Sequence, residues 1–311
     1  MVAAGQKANS TKEPLSGDRP LDQQAAPEDS QNVINSTTNL VSVAVTVTDR
    51  GGQAIAGLPR EYFRIYDDKV EQPITFFSED DTPASVGILF DTSGSMSGST
   101  IEHAKEALAR FIQTSHPQDE FSLIDFSSSP QLLLDRVRDG QAVLDRFTYV
   151  QPKGNTALYD ALDMGIEKLS SGTYPKRTII LISDGEENNS RCSFSKLRRK
   201  LQESGVVVYT VRIGSLPLPK SIAGMVMDEI AKVSGGRSFW PNNSESMDEA
   251  FEQIALDLRR QYSIGYLPAN FATDGKLHKI KVVVNSSWNA SRKVVVRNRE
   301  GYYAIARLPV R

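Results

Sequence analysis

Residues 85–99 read SVGILFDTSGSMSGS, six residues suited to a buried strand and then an aspartate followed by hydroxyls and glycines. In an open parallel α/β sheet, the carboxyl ends of the strands border a crevice where helices diverge to opposite faces. A strand ending at Phe90 therefore delivers Asp91, Ser93 and Ser95 to such a crevice. Gly94 permits the tight loop that puts the two hydroxyls on the carboxylate's side.

The surrounding sequence supports such a sheet. From residue 84, short apolar runs alternate with amphipathic segments: SVGILF, IEHAKEALARFIQ, FSLIDF, TALYDALDMGIEKL, TIILIS, FSKLRRKLQES and VVVYTVRIG. This alternation predicts parallel strands joined by crossover helices on both faces. Ile101, Ala104, Leu108, Phe111 and Ile112 share one helical face, and Leu158, Leu162, Ile166 and Leu169 another. A last helix is expected over MDEAFEQIALDL, with Met247, Ala250, Phe251, Ile254 and Leu258 inward. The spacing of Ser99 with Glu102, and of Ser246 with Glu249, predicts capping boxes.

Outside this unit the periodicity is two. LVSVAVTVTDRGGQ (40–53) sets Val41, Val43, Val45 and Val47 against small and polar residues, and QYSIGYLP, HKIKVVVN and RKVVVRNREGYYA are rich in β-branched and aromatic residues. Tyr262, Tyr266, Trp288, Tyr302 and Tyr303 are expected in sandwich core and edge packing. Neither flank, at about 45 residues, buries enough surface to fold alone. A shared β-sandwich over 39–83 and 259–305 is expected, with an α/β unit of Rossmann-like, doubly wound, mostly parallel type inserted at 84–258. Residues 1–38 are polar and read as a disordered tail.

Composition narrows the function. With 36 basic and 38 acidic residues the net charge is -2, which argues against a nucleic-acid partner. No run approaches the roughly 20 apolar residues of a membrane span, so direct membrane insertion is not expected. The N-terminus lacks the apolar stretch of a signal peptide, which implies either a cytosolic protein or a signal removed before this chain begins. The single Cys192 pairs with nothing and reads as a structural thiol.

Asp184, directly after the buried run TIILIS, falls at the same edge as Asp91. Two carboxylates with hydroxyls and no nitrogen or sulfur donor suit a hard cation, above all Mg²⁺, with Mn²⁺ or Ca²⁺ as alternatives. Three scattered histidines and one cysteine offer zinc no ligand set. The acidic run Asp184, Glu186 and Glu187 reads either as a solvated loop or as the holder of a second cation.

The segment DTSGS resembles the DxSxS signature of the von Willebrand factor type A domain with its metal-ion-dependent adhesion site. GNTALYDAL resembles the family's threonine loop and nominates Thr156, while LISDGEEN resembles its second aspartate segment, at Asp184. The resemblance covers about residues 84–258, and the flanking β segments look like those of bacterial VWFA-related acidobacterial domains. It implies that Ser93, Ser95 and Thr156 ligate or approach the cation directly and that Asp91 and Asp184 bind it directly or through water. It also implies an open position for an Asp or Glu carboxylate of a partner protein, and thus metal-dependent, non-catalytic binding or adhesion. An extracytoplasmic location follows from the same likeness, as does motion of the last helix coupling the metal face to the sandwich.

Enzyme alternatives fit less well. A haloacid-dehalogenase-type phosphatase would want an acid where Ser93 stands, and the apparent nucleophile elbow GSMSG holds Met96 at its centre. No P-loop lysine or dinucleotide-binding glycine pattern follows the first strand. An Mg²⁺-dependent hydrolase and a scaffold with a purely structural metal remain the other readings.

Overall fold

The run around Ile88 becomes the centre of a sheet because all eight residues of its strand are buried. A computed structural model describes residues 40–96, 99–147, 153–213, 222–269, 273–285 and 293–304. The expected tail over 1–38, Ser97, Gly98 and Trp288 lie outside these residues, as does the Ser99 side chain.

Chain order begins with β1 (Val41–Thr48), β2 (Phe63–Asp67), β3 (Val70–Gln72) and β4 (Ile74–Ser78). The α/β portion follows with β5 (Ala84–Asp91), α1 (Ser99–Gln113), β6 (Glu120–Phe126), β7 (Pro130–Val137), α2 (Gly140–Phe147) and α3 (Leu158–Ser170). It continues through β8 (Lys176–Ser183), α4 (Phe194–Ser204), β9 (Val207–Arg212), α5 (Ile222–Ser234), β10 (Ser238–Phe239) and α6 (Ser244–Arg259). The chain returns to β structure with β11 (Tyr262–Tyr266), β12 (Leu277–Val284), β13 (Val295–Arg297) and β14 (Gly301–Tyr303).

The central sheet has the order β10-β9-β8-β5-β6-β7. Its pairings are parallel except at β7, which runs antiparallel on the edge. Alternation along β5 distributes its residues between two cores. Val86, Ile88 and Phe90 pack with Leu108, Phe111, Phe251 and Ile254 of α1 and α6. Leu89 packs on the other face with Leu162 and Ile166 of α3, Leu197 of α4 and Ile230 of α5. The α3 helix approaches β5 closely because Gly165 has no side chain; a Cβ there would come within 3.1 Å of Leu89 Cδ1. The result is a doubly wound, three-layer α/β arrangement.

The remaining strands form two antiparallel sheets, β13-β1-β11-β4 and β14-β12-β2-β3. Each interleaves strands from both sides of the α/β portion. Val43, Val45, Phe63, Ile65, Tyr262, Ile264, Ile280 and Val282 share one core between them. Tyr262, Tyr266 and Tyr302 are buried in it, the packing anticipated for the aromatic cluster.

The chain enters and leaves the α/β portion at neighbouring points. Ser78 of β4 and Ser263 of β11 are register partners. Asp119 accepts the Ala84 amide at 2.7 Å and the Arg259 guanidinium at 2.9 Å, and Arg259 also pairs with Asp81. Two residues earlier on α6, buried Asp257 pairs with Arg297 of β13 at 2.5 Å.

The last helix begins three residues before the expected Met247. Its capping box is Asn243 with Ser246, not Ser246 with Glu249: Asn243 Oδ1 accepts the Ser246 amide at 2.8 Å, and the Ser246 hydroxyl accepts the Asn243 amide at 3.2 Å. Two overlapping cap patterns are present, and the upstream one adds a further turn of helix. Among the described residues, no helix is long and apolar enough to cross a membrane.

Candidate metal centre

Asp91 is the last residue of β5 and is fully buried, although the residues directly before it, Ile88 to Phe90, are apolar. Its Oδ1 accepts the Ser93 amide at 2.8 Å, which closes the turn, and its Oδ2 accepts the Ser183 hydroxyl at 2.5 Å. Burial pushes the carboxyl up to about 6, against the opposing effect of these hydrogen bonds, and the nearby Asp184 carboxylate adds to the rise. A buried acid with a second acid beside it is a site with surplus negative potential, which a cation would relieve.

Ser93 is buried and Ser95 is exposed, and their hydroxyl oxygens stand 3.2 Å apart. Adjacent oxygens around an octahedral Mg²⁺, each about 2.1 Å from the ion, stand about 3.0 Å apart. The donor set fits such an ion, while the separation is that of the hydrogen bond the two hydroxyls make to each other. Met96, at the centre of the false elbow, is buried in the core with α1 and holds the loop down.

Two further loops are tied to this one. Lys153 N donates to Thr92 O at 2.7 Å and Gly94 N donates to Gly154 O at 3.0 Å, which joins the Asp91 loop to the segment leading to Thr156. Thr156 is buried just before α3; its amide donates to Asn188 Oδ1 at 2.9 Å, and its carbonyl accepts the Asn188 and Asn189 amides. Asp184 directly follows β8 and is partly exposed, with its Oδ1 turned to the Glu186 amide and its carbonyl held by Arg212. The three segments carrying Asp91, Thr156 and Asp184 thus meet at one sheet edge.

Several supporting residues have no signal in the sequence. Ser183 donates to Asp91 while accepting the Gly185 amide at 2.9 Å, and so fixes both aspartate segments. Thr92 reaches sideways to Asp125 at the end of β6. Of the acidic run, Glu187 is engaged in the fold: it accepts the Tyr159 amide at the start of α3 and the Ser190 amide and hydroxyl. Carboxylates at a helix N-terminus stabilise it.

An open α/β sheet with a loop cluster at its strand ends is of the doubly wound class, in which ligands bind outside the carboxyl ends of the strands. Residues 86–187 match the family model of the von Willebrand factor type A domain. The chain is 26% identical over 197 residues to an uncharacterized protein of Synechocystis sp., covering 60% of this chain and 44% of that protein. It is 28% identical over 134 residues to inter-alpha-trypsin inhibitor heavy chain H4 of Homo sapiens, covering 39% of this chain and 14% of that one. The match spans less than two thirds of the length of these curated relatives. Among solved structures, proximal thread matrix protein 1 from the mussel byssus, described with a zinc-occupied MIDAS motif, aligns with a TM-score of 0.51. At 16% identity over 60% of this chain and 48% of that one, it shares the fold.

Proposed function

We propose that the protein is a non-catalytic, divalent-metal-dependent binding or adhesion module. Asp91, Ser93, Ser95, Thr156 and Asp184 would hold Mg²⁺, directly or through water, and an Asp or Glu of a protein partner would complete the coordination. The observation that carries this reading is the convergence of the three loops on a buried, hydroxyl-flanked carboxylate whose charge is unfavourable where it stands. The metal would neutralise that charge and retain a net positive character toward a partner carboxylate, since the proposed set supplies only two acids. An extracytoplasmic setting belongs to the same reading and rests on the likeness to exported proteins; cell fractionation checks it.

Calorimetry of Mg²⁺, Mn²⁺ and Ca²⁺ with wild type and Asp91→Ala tests the site. Saturable binding that vanishes in the variant is expected. Pull-down of partners from native extract should need Mg²⁺ or Mn²⁺ and fail in EDTA. Turnover of a generic phosphoester that disappears in Asp91→Ala would replace this reading with a hydrolase.

A further inference from the structure

Away from the Asp91 loop, the sheet β14-β12-β2-β3 carries a second cluster of ligand-type side chains. Its inward face alternates Phe63, Ile65 and Asp67 along β2, and His278, Ile280, Val282 and Val284 along β12. Two polar residues thus occupy the last inward positions of otherwise apolar rows, on paired strands in which Asp67 stands opposite Ile280. With Asp68 they offer ligand atoms that all lie within 4.8 Å of one another.

Asp67 supplies the observation that points to a ligand. It is 7% exposed, its Oδ2 accepts the hydroxyls of Tyr266 at 3.0 Å and Tyr302 at 2.9 Å, and its Oδ1 is buried without a hydrogen-bond partner. A buried carboxylate oxygen without a partner is costly and rare. That oxygen faces His278 Nδ1 at 3.9 Å, while Asp68 Oδ2 lies 2.9 Å from the same nitrogen. Donors about 2.0–2.1 Å from a tetrahedral zinc stand about 3.3 Å apart, a value these two separations bracket.

The surroundings are those of a held ligand set. The other ring nitrogen of His278 faces Asp274 Oδ1 at 3.3 Å, the carboxylate–histidine pairing that orients metal-bound imidazoles. The ring stacks on Tyr302, with centroids 5.4 Å apart. Lys279 N donates to Asp68 Oδ1 at 2.9 Å and fixes that side chain. Asp68 is exposed, leaving one side open to solvent for a fourth ligand.

We propose that Asp67, Asp68 and His278 form a zinc-class metal site in the β-sandwich, separate from the Asp91 centre. One nitrogen and two carboxylate oxygens suit Zn²⁺ better than Mg²⁺, which prefers six oxygens. A metal there would join β2, its hairpin turn and β12.

The test uses the full chain labelled with ¹⁵N-histidine, titrated with Zn²⁺ in the presence of millimolar Mg²⁺ and followed through the imidazole resonances. The chain has three histidines, His103, His116 and His278. A saturable shift of the His278 Nδ1 resonance at stoichiometric Zn²⁺ is expected, with affinity at least about tenfold weaker in Asp68→Asn. Asparagine tolerates the left-handed backbone at this turn, where Asp68 has φ 45, and keeps the acceptor for Lys279 N, so that variant should fold. A His278 resonance that does not move at stoichiometric Zn²⁺, or that moves with unchanged affinity in Asp68→Asn, overturns the proposal. The imidazole readout reports ligation by His278, so failure at the Asp91 centre leaves it intact.

Discussion

Replacing Asp91 by asparagine should make the metal-free protein more stable. In the fold this carboxyl is raised from 3.8 to about 6, mainly by burial. Its charged form is therefore disfavoured by about 3 kcal/mol at pH 7, relative to an aspartate free in water. Because the folded value lies above the unfolded one, the neutral form's contribution to stability is complete below pH 3.8 and is lost as pH rises through about 6. Asparagine is neutral throughout, keeps an oxygen for the Ser93 amide, and offers its own amide to the Ser183 hydroxyl. In EDTA at pH 7, Asp91→Asn should exceed wild type by about 1–3 kcal/mol in urea denaturation, with the difference shrinking toward pH 4. Mg²⁺ should offset that advantage: at 100 times the dissociation constant wild type gains about 2.7 kcal/mol, and the variant gains little. A variant less stable than wild type in EDTA, or one that responds equally to Mg²⁺, would refute the reasoning.

Other perturbations probe the frame around the site. Burial raises the Glu120 carboxyl, but hydrogen bonds from Ser85 and Thr173 outweigh it and hold the group below its ordinary 4.5. Its contribution is present above pH 4.5 and lost as pH falls through the depressed value, so Glu120→Gln should flatten the acid limb of a stability–pH curve. Arg297→Met should cost about 3–5 kcal/mol by stranding buried Asp257, whereas the double change Asp257→Leu with Arg297→Met should cost far less; denaturation of the three variants checks this. In Gly236→Ala the new Cβ would lie 2.0 Å from the Val208 carbonyl oxygen, so a loss of at least about 2 kcal/mol, or failure to fold, is expected by thermal melting.

Much of the fold was legible because period and burial agree. The valines of β1 all enter the sandwich core as their alternation predicts, although Thr46 and Thr48 on the other face are buried as well, and β5 and β8 read as continuous apolar runs because both of their faces are covered. Less could be read where tertiary context decides. PQLLLDRV, at β7, is an edge strand half in solvent and shows neither clean alternation nor full burial. The start of α6 carried two overlapping cap patterns, and the sequence gives no means of ranking Asn243 above Ser246. At the candidate metal centre, Asp91, Ser93 and Ser95 are visible as a local motif and Asp184 as the residue after a second buried strand, while Thr156 emerges only through likeness to a family. Ser183 and Asn188 are unremarkable until the loops meet. Asp67, Asp68 and His278 are harder still, since about 210 residues separate them and only the register of β2 with β12 brings them together.

The pairing of β4 with β11 gives the molecule a mechanical character. The chain departs for the α/β portion from Ser78 and returns from it at Tyr262, at the same end of one antiparallel pair. If a partner held at the Asp91 face were pulled while the β sheets were anchored, the load would reach this pair as an unzipping force. Its hydrogen bonds would then be taken one after another instead of together. The Asp119 contacts to Ala84 and Arg259 stand at the mouth of that zip, and the Asp257–Arg297 pair bridges α6 to β13 beside it, so buried carboxylates share the load before the two strands part.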